Sequence, residues 1–91
     1  MVEIYGIVSS NNKCHACDVV IKRLDEDDID YILKTVLRDA DNDIGFAYDR
    51  TVIDELRRRI NQPKGALELP KVFVNGTYIG GAKALLDYLD A

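Results

Sequence analysis

What this chain lacks narrows its function before any motif is read. No apolar run approaches the roughly 20 residues that a membrane span requires. The N-terminus has no cationic stretch followed by an apolar one, so no secretory signal is expected and a cytoplasmic, reducing setting is. Positive charge is the minority sign, with 12 Lys and Arg against 16 Asp and Glu for a net charge of −4. That balance argues against general nucleic-acid binding, though not against a protein partner with a basic docking face. Histidine occurs once and cysteine twice. These fall short of the four Cys or His ligands of a closed structural zinc site, so zinc would need carboxylates or a second copy of the chain. No internal repeat or low-complexity stretch is present. With 91 residues, 47% apolar and 31% charged, residues 1–91 suit one domain with a single core, expected to be a monomer.

What is present centres on Cys14-His15-Ala16-Cys17. Cys17, Val20, Ile21 and Leu24 recur at helical spacing and predict a helix over about 16–25. Val2–Val8, rich in β-branched residues, predicts a central strand. The cysteine pair therefore falls where a strand turns into a helix N-terminus. Unpaired N–H groups and the positive end of the dipole there favour a thiolate over a thiol. Lys13 adds a cation. Cys17 belongs to the inward stripe and is expected to be sheltered. Cys14 lies off that stripe and is expected to face solvent, as the nucleophile to Cys17's resolving thiol. Redox chemistry, a metal site and inert thiols all remain open on spacing alone, with redox chemistry favoured.

Further along, Asp25–Asp30 is an acidic run read as a solvated turn that ends the first helix. Tyr31–Leu37 predicts a second strand, and Lys34 within it an edge position. Residues 38–50 read as a polar, mobile surface loop. Asp39, Asp41 and Asp43 alternate as at the start of a calcium loop, but Ile44 and Arg50 occupy the places where that loop needs Gly and Glu. Thr51 is the expected cap of a second helix, with Asp54 and Glu55 in its first turn and Arg57–Arg59 in its last. Its stripe is Val52, Ile53, Leu56 and Ile60, with Asp54–Arg58 and Glu55–Arg59 paired on a wet face. Lys71–Val74 and Thr77–Ile79 flank Asn75-Gly76, a type I′ hairpin signal. Ala82, Leu85, Leu86 and Leu89 mark a last helix. The order β-α-β-α-β-β-α predicts an α/β fold with a mixed four-stranded sheet flanked by three helices.

At this point the chain resembles the glutaredoxins of the thioredoxin-like fold, and most of all the small dithiol glutaredoxins of bacteriophages. The likeness rests on Cys14-x-x-Cys17, on Leu69-Pro70-Lys71-Val72-Phe73-Val74-Asn75-Gly76, and on Ile79-Gly80-Gly81. It implies an enzyme, a thiol–disulfide oxidoreductase with no bound cofactor and glutathione as co-substrate. Such a protein serves electron transport and cell redox homeostasis. Family potentials of about −200 to −230 mV are more oxidising than the −270 mV of thioredoxin. Ribonucleotide reductase is the client the likeness suggests. The same likeness implies a cis bond before Pro70, strand-like pairing of an extended thiol substrate with the Leu69 backbone, and a close turn at Gly80 and Gly81. The helix beginning at Ala82 and Lys83 would then hold the substrate's γ-glutamyl carboxylate. The alternative reading is a metal- or iron–sulfur-binding module built on the same fold.

Two departures from the family pattern bear on substrate. The usual Cys-Pro-Tyr-Cys is here Cys-His-Ala-Cys, which removes a rigid turn and a flat contact surface. A protonated His15 would favour the Cys14 thiolate. Where the family places an acid that binds the glutathione ammonium, this chain has Ala82-Lys83, a pair that repels ammonium and attracts carboxylates. A direct protein substrate gains weight accordingly. The connection 38–50 also differs from that of cellular members in length and charge.

Overall fold

The computed structural model describes residues 1–9 and 14–91. The elements run β1 (Val2–Gly6), α1 (His15–Glu26), β2 (Tyr31–Thr35), β3 (Leu37–Asp39), β4 (Phe46–Tyr48), α2 (Arg50–Ile60), β5 (Lys71–Val74), β6 (Thr77–Gly80) and α3 (Ala82–Asp90). Four strands form one sheet in the order β2-β1-β5-β6. β1 and β2 are parallel, Ile4 facing Leu33, while β5 is antiparallel to both β1 and β6. β1 is thus interior, as its apolar run predicts, and β2 is the edge strand that Lys34 foretold.

Strand periodicity sorts the core into two halves. On one face Val2, Ile4 and Val72 meet Val20 and Leu24 of α1 and Leu85 of α3. On the other, Tyr5 and Phe73 meet Ile53 and Leu56 of α2, together with Val36. The single-residue alternation of Ile4 with Tyr5, and of Val72 with Phe73, is what lets one thin sheet bind helices on both sides. Asn75 and Gly76 both take positive φ, 50° and 84°, as a type I′ turn demands, and they close the β5–β6 hairpin.

Three expectations are corrected. Residues 38–50 are not one surface loop: β3 and β4 pair as a two-stranded antiparallel hairpin, Leu37 opposite Tyr48 and Asp39 opposite Phe46. Its turn is held by the Asn42 side chain, which accepts from the Gly45 amide at 2.8 Å and donates to the Phe46 carbonyl at 2.9 Å. Second, α2 starts one residue before Thr51. Asp49 is its cap and accepts from the Val52 amide at 3.2 Å, so Asp54 and Glu55 lie beyond the first turn.

Third, Glu55 and Arg59 do not pair with each other along a wet face. Arg59 forms a two-pronged ion pair with Glu3 of β1, at 2.7 and 3.0 Å, and its guanidinium lies 3.8 Å from the centre of the Phe73 ring. Glu55 pairs with Lys34 of β2 at 2.5 Å. The Tyr5 hydroxyl joins the two halves, donating to Glu55 and accepting from Arg59 at 2.9 Å. The Arg59 hydrogen bonds hold the Glu3 carboxyl below its ordinary value, and the Lys34 hydrogen bond does the same for Glu55. Burial, then the bond to Glu55, pushes the Tyr5 phenol up. The network fastens α2 to the sheet by bonds that are directional where the apolar core is not.

Candidate active site

The cysteine motif lies where β1 gives way to α1. Cys14 is the helix cap, with extended backbone at φ −126°, ψ 98°. Its carbonyl accepts the first helical bond, from Asp18, at 3.1 Å. Its sulfur accepts a hydrogen bond from the Cys17 amide at 3.2 Å. A cysteine thus holds the capping position that Ser or Asp usually fills, and the donor it captures is one of the orphan amides of the first turn. Because the bond and the helix dipole both act on Cys14 Sγ, both favour its anionic form once the protein is reduced.

The two sulfurs are bonded to each other, across a Cα–Cα distance of 5.3 Å. They differ in access. Cys17 is wholly buried, packed beneath the sheet, whereas Cys14 is half-buried. Cys17 is sheltered as expected, while Cys14 is the less buried of the two but does not stand fully open to solvent.

Cys14 meets the second segment of the motif set at Leu69. The Leu69 carbonyl oxygen lies 3.9 Å from Cys14 Sγ, and the Leu69–Pro70 peptide bond is cis. Pro70 is buried, and its carbonyl stands 3.3 Å from where a Cβ on Gly81 would be. Residues 69–70 thus link the other two stretches: Leu69 lies against Cys14, and Pro70 against Gly81. The close turn also has its explanation. Gly80 has φ +126°, which side chains rarely adopt, and a Cβ there would meet Ala84 at 2.9 Å.

The remaining predicted site residues are placed as follows. His15, the first residue of α1, is exposed. Lys13 lies outside the described residues. Ala82 is half-buried at the start of α3, whose cap, Gly81, offers no side-chain bond to the first amides. Lys83 is exposed and paired with Asp87 at 2.7 Å, a bond that raises its pKa. Its charge is thereby partly committed along its own helix. Among the described residues no group of three or more His, Cys, Asp or Glu side chains converges where one metal ion would fit. Nor, among them, is any helix long and apolar enough to cross a membrane.

One residue of the site escaped sequence reasoning. A Cβ on Gly6, at the end of β1, would stand 3.0 Å from Cys17 Sγ. Nothing in the sequence marks this glycine, because the atom it makes room for is eleven residues away.

Comparison with solved structures places this geometry in a known fold. The chain superposes on glutaredoxin 1 from Francisella tularensis, whose crystal structure was determined in complex with cacodylate. The match covers 98% of this chain and 91% of that one, with a TM-score of 0.61 and 20% sequence identity. No family model and no curated protein sequence matches the chain. At that identity the likeness is one of fold: a thioredoxin-like α/β fold with a mixed four-stranded sheet between three helices.

Proposed function

We propose that the chain is a dithiol thiol–disulfide oxidoreductase of the glutaredoxin kind, of the small type found in bacteriophages. The observation that carries this reading is the cap itself. A half-buried sulfur receives an amide at a helix N-terminus, beside the Leu69 carbonyl and the cis Pro70, and is bonded to a second, wholly buried sulfur.

The reduced protein begins with Cys14 as thiolate. It attacks one sulfur of a substrate disulfide, the substrate S–S bond breaks, and the departing thiolate takes a proton from solvent. Cys17 loses its proton and attacks the Cys14 sulfur, which releases the second substrate thiolate. Two electrons have passed to the substrate, and Cys14–Cys17 is now the disulfide. Two glutathione molecules reverse this. The first opens the protein disulfide by attacking Cys14, and the second attacks the glutathione sulfur, leaving as glutathione disulfide.

The backbone of Leu69, which makes no backbone–backbone hydrogen bond among the described residues, suits an extended thiol substrate added as a strand, and the start of α3 at Gly81, Ala82 and Lys83, which has no side-chain cap, suits its carboxylate. Lys13 and His15 flank the nucleophile as further substrate contacts. A protein disulfide such as that of ribonucleotide reductase is the proposed client, in the cytoplasm, with the chain acting as a monomer.

The test is reduction of a glutathione mixed disulfide and of a protein disulfide, with glutathione or thioredoxin reductase as electron source. Cys14→Ser should abolish both reactions. Cys17→Ser should keep the first and lose the second. Equal activity in both variants and the parent would contradict the assignment, and turnover driven by thioredoxin reductase alone would contradict the glutathione-linked subclass.

A further inference from the structure

At the end of the sheet away from the cysteines the apolar core stands open. Ile29, Val74 and Leu89 pack against the buried cluster on the α1 and α3 side, yet each is only half-buried. A cavity of about 400 Å³ opens among them, with Met1 and Tyr88 on its outer wall and Asp30 on its rim. Met1 and Tyr88 are 58% and 52% exposed, high values for large apolar side chains beside a core. Met1 is not loose there. Its carbonyl accepts from the Asn75 amide at 3.0 Å, which ties it to the β5–β6 turn.

The charge around this cavity is one-sided. α1 and α3 both begin near the thiol site, capped by Cys14 and Gly81, and their last turns meet at the opposite end, where Arg23 pairs with Asp90 at 2.6 Å. Helix ends of that polarity are partly negative and favour cations. This chain places carboxylates there instead. Asp25, Glu26, Asp27, Asp28 and Asp30 lie at the end of α1 and just beyond it, and α3 has no basic residue in its last turn. Arg23 serves two carboxylates at once, Asp27 at 2.7 Å and Asp90. Asp28 and Asp30 have no cation partner among the described residues. Carboxylates set against two helix dipoles lower the stability of the free protein, so their gain lies outside it.

The cavity is also well separated from the chemistry. Val2 lines it, whereas Gly6 at the other end of β1 packs against Cys17. At about 3.3 Å per residue those two strand positions stand roughly 13 Å apart. An occupant of the cavity leaves the thiol site open.

We propose that this pole is a docking site for a basic segment of another protein, one that holds the domain while its cysteines remain free to react. A large apolar side chain of that segment enters between Tyr88, Ile29 and Val74 and closes the core. Lysine or arginine side chains on either side of it meet Asp28, Asp30 and Asp90. The sign of the charge selects a basic polypeptide over nucleic acid or an anionic membrane surface. The proposal goes beyond the oxidoreductase reading and stands apart from it.

The test measures binding to the oxidised protein by anisotropy, with three fluorescent peptides. One is basic with an apolar centre, Lys-Arg-Leu-Phe-Arg-Lys. The second has serines in that centre, Lys-Arg-Ser-Ser-Arg-Lys, and the third reverses the charge, Glu-Asp-Leu-Phe-Asp-Glu. The first should bind about tenfold tighter than either of the others, and added salt should weaken it. Tyr88→Ser and Asp30→Lys should each weaken it about fivefold, with folding checked by thermal melting, and Tyr88→Phe should retain it. Tyr48→Ser, which removes an equally exposed tyrosine on the β3–β4 hairpin, should leave it unchanged. Amide shifts in a titration should centre on Ile29, Val74, Tyr88 and Leu89. Reduction of the Cys14–Cys17 disulfide by dithiothreitol should proceed at the same rate with peptide bound.

Equal binding of the first two peptides would overturn the proposal, by leaving only diffuse attraction to an acidic protein. Absence of binding, or a loss as large in Tyr48→Ser as in Tyr88→Ser, would overturn it too. So would shifts centred on Cys14, Cys17 and Pro70, or slower reduction with peptide present, since either puts the peptide at the thiol site. A dimer in sedimentation that Tyr88→Ser dissolves would assign the face to a second copy of the chain instead. None of these readouts requires turnover, so an inactive protein would count against the oxidoreductase reading alone.

Discussion

Gly6 and Cys17 pack so closely that a side chain on Gly6 would crowd the sulfur: a Cβ there would fall 3.0 Å from the Cys17 sulfur and 3.5 Å from its Cβ. Both residues are buried, one at the end of the interior strand and the other in the first turn of α1. The sheet and α1 are therefore spaced by the absence of one methyl group. The Cys17 sulfur is held behind Cys14 by this packing as much as by the helix itself.

Gly6→Ala is accordingly expected to destabilise the protein by about 1–3 kcal/mol, the usual cost of overpacking a closed core. Urea unfolding of the oxidised protein measures it. An unchanged midpoint would show that α1 can withdraw freely from the sheet.

The Glu3–Arg59 and Glu55–Lys34 pairs predict a particular acid limb. Their hydrogen bonds lower both carboxyl pKa values in the folded protein from an ordinary 4.5. The stability they contribute is therefore complete above about pH 4.5. It is lost as pH falls through the lower folded values. Glu55→Gln should cost about 1 kcal/mol at pH 7, since the pair is only partly shielded. It should also flatten the loss of stability between pH 5 and 3. Urea midpoints across that range check it, and parallel curves for variant and parent would contradict it.

At the proposed substrate end, Ala82 opens α3 and Lys83 is turned to Asp87. Ala82→Asp restores an acid near the place where glutathione's ammonium would lie, and the helix N-terminus tolerates it well. The KM for a glutathione mixed disulfide should fall about threefold, as one exposed ion pair allows. A KM that is unchanged or higher would mean that the γ-glutamyl end binds elsewhere.

How far the sequence disclosed all this depended on how local each signal was. The α1 stripe, the Asn75-Gly76 turn and the interior character of β1 are written in neighbouring residues, and each was readable. The Cys14–Cys17 pairing was readable for the same reason. The β3–β4 hairpin was not, because its strands are three residues each and the aspartates around its turn look like solvated loop. The cap of α2 lies two residues before the expected Thr51, since Asp49 and Thr51 are both good caps and only the Val52 amide decides between them. Glu55 and Arg59 were assigned to each other because they are four apart, while their real partners lie on β1 and β2.

The claim on which the account turns is that the helix cap makes Cys14 the reactive thiolate. Ultraviolet titration of thiolate absorbance in the reduced protein, repeated on Cys14→Ser and Cys17→Ser, tests it directly. The account predicts one thiol ionising well below the ~8.5 of free cysteine, a transition kept in Cys17→Ser and missing from Cys14→Ser. A midpoint near that of a free thiol in both the parent and Cys17→Ser, or a low transition that survives in Cys14→Ser, would contradict it.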